Sequence, residues 1–273
     1  MANEQYIYQN RAVVFLDILG FHAKLVEFQN EAIKNKEEED SEFYISKAVN
    51  EFINTFKSVV SILDEKDFTY YLFSDNICIT IDFEANRDLL IDILNTINDL
   101  FFKFAQKGYF LRGGLDVGKF IDEKEIAVGV PLACAVTLEK DVAIYPRIVL
   151  SPNYTKLLDN YAENNLISEN YIIQKNYLIK QHCEVSYLNT FFYLVNNENI
   201  IELLETMHSS ILQNLALNQT KEKIAIKYEW LARELNQFID DYLNEMMFLE
   251  KDFVPDNEEI EKIKSLKITE YAE

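Results

Sequence analysis

The sequence predicts an α+β fold of the ferredoxin-like βαββαβ plan, an antiparallel-rich sheet with a helical C-terminal extension. Three observations predict it. Apolar strand runs and amphipathic helical stripes follow one another in the order β-α-β-β-α-β through residue 118. Two of those strands are separated only by Ser74, Asp75 and Asn76, a hairpin signature. From Asn153 the strand alternation disappears, apart from residues 189–195, and helical periodicity takes over.

Residues 11–20 (RAVVFLDILG) read as an apolar strand interrupted by one acid. The charge run at 34–40 (KNKEEED) reads as a solvated loop or helix start. From Glu42, the apolar residues Ile45, Val49, Phe52, Phe56, Val59 and Leu63 recur every three to four positions and predict a helix. Residues 68–73 and 77–83 form the hairpin arms. A second helix is expected over 86–106, with Gly108 as its stop, and a glycine-bearing strand over 109–118 (YFLRGGLDVG). Beyond these come a helix at 129–140 and a strand at 144–150. One helical stripe follows on Ile200, Leu204, Met207, Ile211 and Leu215, and another on Ile224, Tyr228, Leu231, Leu235, Phe238, Tyr242 and Met246. The change of pattern divides the chain into 1–152 and a mainly helical extension, 153–273, whose charged tail after Pro255 reads as partly mobile.

With 273 residues, 49% of them hydrophobic and 13% aromatic, the chain can bury a substantial core without a covalent staple. Cys78, Cys134 and Cys183 form no CxxC pair, so neither a disulfide framework nor a zinc site is indicated, and a reducing cytoplasm suits them. Apolar runs are too short to cross a bilayer, so no membrane partner is expected. A net charge of −20 with no basic stripe repels nucleic acid. A small anionic substrate stays compatible with that field where divalent metal inverts its local sign.

The chemistry converges on two acids. Asp17 lies within VVFLDILGF, where a carboxylate among strand residues needs a cation or a hydrogen-bond partner. Asp75 sits at the hairpin tip between YYLF and ICITI. In the predicted topology the first strand runs beside that hairpin, which brings both acids to one sheet edge. Paired carboxylates there suit Mg²⁺ or Mn²⁺, which bind one or two carboxylates together with substrate phosphate oxygens.

FLDILGF (15–21), YLFSDN (71–76), LRGGLDVGKF (111–120) and a helix opening at Gly129 together resemble the class III nucleotidyl cyclase catalytic domain. The resemblance implies two metal ions on Asp17 and Asp75, with the Ile18 carbonyl as a further ligand. It also implies a triphosphate cradled by the backbone amides of Leu19, Gly20, Phe21 and His22, and a homodimer with its sites at the interface. Tyr71 stands where purine cyclases of that family place a lysine, and Ile126 where adenylyl cyclases place an acid, which argues against ATP. Tyr71, the RGG, the string running from Gly129 to Glu139 and KIAIKYEWLARELN (223–236) are similar to the bacterial pyrimidine cyclases of Pycsar antiphage systems. That implies conversion of UTP to cyclic UMP, with CTP, then a purine nucleotide, then a degenerate nucleotide-binding protein as alternatives. Tyr71 becomes the base-reading residue. At the family's transition-state Asn and Arg positions stand Ala133 and Thr137, so Arg112 and Arg147, and more remotely Lys223 and Lys227, are the cations left to replace them. Asp116 reads as a turn or exposed strand residue, and Trp230 with Leu231 as core packing.

Overall fold

A computed structural model describes residues 5–38, 42–123, 126–195, 197–244 and 255–269. In chain order, β1 (Gln9–Ile18) leads into α1 (Phe21–Glu38) and α2 (Lys47–Val60), and then into the hairpin of β2 (Thr69–Phe73) and β3 (Asn76–Asp82). Helix α3 (Leu89–Ala105) precedes β4 (Leu111–Glu123), β5 (Ile126–Gly129), α4 (Val130–Thr137) and β6 (Ile148–Leu150). Then follow α5 (Pro152–Glu163), α6 (Glu169–Leu178), β7 (Ile179–His182), β8 (Val185–Leu188), α7 (Ile200–Leu217), α8 (Glu222–Asn244) and α9 (Asn257–Ser265).

The fold is α+β, as the sequence predicts. Among the described residues one sheet runs β2-β3-β1-β4-β6-β8-β7, with β5 on β4. The first four positions, β2-β3-β1-β4, are antiparallel throughout and reproduce the split βαβ order. Only β4 with β6 is parallel.

Strand β1 shows how the sheet divides its two faces, because side chains alternate along a strand. Ala12, Val14, Leu16 and Ile18 enter the main core with Ile77, Ile79 and Ile81 of β3 and the buried residues of α2, α3, α7 and α8. Val13 and Phe15 point the other way, into a small cluster with Cys78, Phe120 and Ala135 of α4. Helix α4 can lie this close because position 114 is glycine: a Cβ there would sit 2.3 Å from the Ala135 carbonyl oxygen. The paired glycines of RGG thus admit the chain's own backbone; at Gly113 a Cβ would meet the Phe15 carbonyl at 2.4 Å.

Several elements differ from the sequence reading. The run at 34–40 belongs in part to α1, an 18-residue helix that begins at Phe21; residues 39–41 lie outside the described residues. Helix α2 starts at Lys47 and not near Glu42, because the Ser46 hydroxyl accepts from the Val49 amide at 3.0 Å and caps it, leaving Ile45 exposed. The strand expected at 144–150 shrinks to Ile148–Leu150, since Pro146 has no N–H for a ladder. Residues 189–195 are not a strand: Thr190–Leu194 form a 3-10 turn. The hairpin of this region is β7–β8, closed at Cys183 and Glu184 with φ of +48° and +65°, residue types that do not announce such a turn. Past Pro255 the chain forms α9, whose Asp256 and Glu259 make a reciprocal capping box. In the α8 stripe Ile224 is exposed, and Met246 lies outside the described residues. Asp116 is buried rather than exposed, at 1%; α4 covers it and the Ser151 hydroxyl donates to its Oδ1. Leu231 is fully buried and Trp230 stacks on Tyr145 at 5.3 Å.

Candidate active site

The strand face bearing Val13 and Phe15 continues to Asp17, at the C-terminal end of β1. Its register neighbours are Asn76 on β3 and Arg112 on β4, while Phe73 of β2 pairs with Asn76. The β2–β3 turn needs only Ser74 and Asp75, with Ser74 in the left-handed region at φ +59°. That turn sets Asp75 beside Asp17. The two carboxylates interact: burial is the largest influence raising the Asp17 carboxyl above its ordinary range, Arg112 opposes it, and Asp75 adds to the rise.

A third carboxylate completes the group. The Arg112 guanidinium bridges Asp17, with Nε 2.9 Å from Oδ2, and Glu139, with Nη2 2.5 Å from Oε1. Glu139 sits in the π-helical turn Leu138–Val142 that ends α4, and is itself buried. Burial first, and Asp17 after it, raise its carboxyl, with Arg112 pulling the other way. Lys227 reaches the cluster from α8: burial lowers its pKa, Arg112 lowers it further, and Asp17 and Glu139 raise it. Three acids and two cations therefore meet at one desolvated end of the sheet.

Among the described residues no group of three or more His, Cys, Asp or Glu has the geometry of a complete metal cage. The chemistry of the donors nevertheless fits Mg²⁺ or Mn²⁺. Two hard carboxylates side by side, one of them raised by burial, are donors that a divalent ion suits, the remaining ligands coming from phosphate and water. The Ile18 side chain is in the core, so only its backbone is available for ligation.

The backbone after Asp17 is less uniform than expected. The Leu19 amide already donates to the Phe110 carbonyl at 2.8 Å, so it is not free for phosphate. Gly20 takes φ +74° and turns the chain into α1, whose first-turn amides at Phe21 and His22 have no carbonyl four residues back within the helix. The Phe21 side chain packs against Phe52 at 4.4 Å, which leaves its amide as the useful group.

Arg147 is engaged elsewhere. Its guanidinium lies over Tyr145 and Tyr187, and Nη2 donates to the Val142 carbonyl at 3.0 Å. The Thr137 hydroxyl bonds back to Ala133 within α4 at 2.8 Å.

Tyr71 lies on the same face as Asp17, two residues along the hairpin from Phe73 and opposite Cys78. That is a separation of about 7 Å along the strand. Its hydroxyl donates to Asp122 Oδ1 at 2.5 Å, with the Glu123 carbonyl at 3.2 Å. Asp122 also accepts from the Thr80 hydroxyl and lies 3.5 Å from Arg11. Sequence reasoning missed Asp122, Thr80 and Glu139. Glu139 ends a string the sequence marks out, whereas nothing local marks Asp122.

No family model matches the chain, and no curated protein matches it. Solved structures do. A light-regulated bacterial adenylyl cyclase shares 14% identity, with 75% of this chain and 100% of that one aligned at a TM-score of 0.42. The adenylyl cyclase CyaB from P. aeruginosa shares 14%, over 57% of this chain and 84% of its own, at 0.41. The monomeric guanylyl cyclase domain of the RhoGC fusion protein from the aquatic fungus Blastocladiella emersonii shares 13%, over 57% and 90%, also at 0.41. No residue role passes from them to this chain at that likeness, and function rests on the geometry above.

Proposed function

We propose that this chain is a nucleotidyl cyclase that closes a pyrimidine nucleoside triphosphate, UTP before CTP, into a 3′,5′-cyclic monophosphate with release of pyrophosphate. The observation that carries the reading is the buried Asp17 beside Asp75 at one end of the sheet, with Arg112 held across Asp17 and Glu139. In this proposal 1–152 is the catalytic unit and 153–273 an extension on the same core. The product serves as a second messenger in antiphage defence.

Asp17 and Asp75 would hold Mg²⁺ or Mn²⁺, which supplies neutralisation of the triphosphate and acidification of the ribose 3′-hydroxyl when bound. Every other task falls to the chain. The Phe21 and His22 amides at the start of α1 receive phosphate oxygens. Arg112, released from Asp17 but still held by Glu139, and Lys227 from α8 stabilise charge developing on the phosphate as the 3′ oxygen attacks the α-phosphorus and pyrophosphate leaves. They take the place left by Ala133 and Thr137. In this reading the base of a nucleotide extended along the sheet rests against Tyr71.

The same face carries exposed apolar side chains, Phe73 at 47% and, on the helix that packs over it, Val130 at 72%. They support a homodimer across it. One observation favours a second reading, a nucleotide-binding protein without turnover: Arg112 occupies Asp17, and α4 offers no cationic donor.

Incubating the purified chain with all four ribonucleotides and Mn²⁺, and identifying products by mass, separates the two. Cyclic UMP or cyclic CMP is expected. Nucleotide binding with no cyclic product establishes the second reading, and a purine product removes the base assignment.

A further inference from the structure

The environment of the Tyr71 hydroxyl decides which atom of a base it can read. A phenol has one proton to donate and lone pairs to accept with. Here the proton is taken. Both oxygens near it, Asp122 Oδ1 at 2.5 Å and the Glu123 carbonyl at 3.2 Å, can only accept. Asp122 is fixed in turn: its side chain is 3% exposed, its other oxygen accepts from Thr80, and Arg11 lies 3.5 Å away. Arg11 is itself anchored, its Nε and Nη2 donating to Gln9 at 3.2 and 2.6 Å. Across the ladder from Glu123 stands Ile126, 49% exposed and without a polar group. Burial, and Asp122 after it, hold the phenol protonated far above its ordinary range, so it does not escape this arrangement by ionising.

We propose that Asp122 fixes Tyr71 as an obligate hydrogen-bond acceptor, so that Tyr71 reads an N–H of the base, the N3–H of uracil, and not a carbonyl. The inference rests on the reading above that a pyrimidine lies against Tyr71. Uracil donates at N3 and accepts at O4, whereas cytosine has a bare lone pair at N3 and donates from its N4 amino group, so an obligate acceptor selects uracil only where it faces N3, the edge that the reading of UTP before CTP implies. An acceptor facing N3 therefore pairs with uracil and is left unsatisfied against cytosine, and buried mismatches of that kind discriminate strongly. Asp122 is a positioning residue in this scheme; it touches Tyr71, not the base.

The test separates base recognition from chemistry by using 3′-deoxy nucleotides, which bind but cannot cyclise. With Mn²⁺ and the full chain, 3′-deoxy-UTP is expected to bind at least about tenfold tighter than 3′-deoxy-CTP. Methylation at N3 should abolish that advantage, while sulfur in place of O4 should change affinity less than about threefold. Asp122→Asn lets an amide donate to Tyr71 and frees its proton, so the uracil-to-cytosine ratio should fall to within about threefold. Tyr71→Phe, which keeps the ring, should lose the ratio equally. Tighter binding of the cytosine analogue, tolerance of the N3-methyl group, or an unchanged ratio in both variants overturns the assignment. The expected binding pattern with no cyclic product from UTP leaves Tyr71 assigned and removes the cyclase reading. Product formation with equal binding of both analogues does the reverse. No binding of either analogue removes both.

Discussion

The two faces of β1 are built from one ten-residue run, QNRAVVFLDI, yet they obey different rules. On the covered face Ala12, Val14, Leu16 and Ile18 are at most 1% exposed, and helices from both ends of the chain close over them. On the other face Val13 and Phe15 are shielded by α4, but Asp17 is left with an acid on one side and an arginine on the other. The contrast teaches where this molecule spends its stability. A strand that only needed a core would carry an apolar residue at 17; a carboxylate there is costly, and it is tolerated because its partners are charged.

The comparison breaks most sharply at the acids. Asp17→Asn or Asp75→Asn keeps shape and removes one charge, so each should cut turnover of the proposed pyrimidine substrate by about 10²–10³-fold or more, with the far-UV circular dichroism unchanged. Near-normal turnover in either variant would remove that acid from the site. The covered face should answer in the opposite currency of measurement. Leu16→Ala opens a cavity next to Asp17 in sequence but across the sheet from it, and should lower unfolding free energy by about 2–5 kcal/mol. Activity per folded molecule should stay within about threefold, which chemical denaturation and kinetics on the same sample will check.

Much of this division was readable in the sequence, because it depends on period. Alternation in VVFLDIL assigns Val14 and Leu16 to one face and Asp17 to the other, and the three-residue gap at 74–76 makes the hairpin that brings up Asp75. The α7 and α8 stripes were equally plain. What stayed hidden depends on long-range closure. Helix α1 was masked by its weak amphipathicity, with few buried side chains beyond Phe21 and Phe28. Asp122 sits in a strand of mixed character and meets Tyr71 fifty-one residues away in sequence. Lys227 looked like one more solvated helix lysine until α8 was seen to bring it to Asp17, Glu139 and Arg112.

The hairpin sharpens the comparison one step further, since adjacent tyrosines fall on opposite faces. Tyr70 packs against the main core and its hydroxyl donates to Asp64 at 2.5 Å, whereas Tyr71 belongs to the open face and donates to Asp122. Tyr71→Ala should lower kcat/KM on the proposed pyrimidine substrate by about tenfold to a hundredfold. Tyr70→Ala should lower the melting temperature more than it lowers efficiency. Equal losses on UTP, CTP and ATP for Tyr71→Ala, together with a lower melting temperature, would make it a packing residue.

The smallest expected effect is thermodynamic and needs no turnover. Folding raises the pKa of Asp17, chiefly by burial and further through Asp75, against the pull of Arg112. The fold therefore resists the ionised form. The cost is fully present above the folded pKa, and it disappears as pH falls through that value toward the ordinary carboxylate range, where the proton is back on Asp17. Asp17→Asn has no such cost at any pH. Without divalent metal its melting temperature should exceed that of the natural chain by about 1–4 °C near pH 7.5, and the gap should narrow as the pH is lowered. A divalent ion bound by Asp17 and Asp75 stabilises only the chain that keeps both acids, so adding Mn²⁺ should shrink or reverse the gap at pH 7.5. A variant that instead melts below the natural chain near pH 7.5 would mean that Asp17 is an ordinary ion-pair partner of Arg112. A gap that Mn²⁺ leaves untouched would take the metal away from this end of the sheet, whatever the enzyme turned out to make.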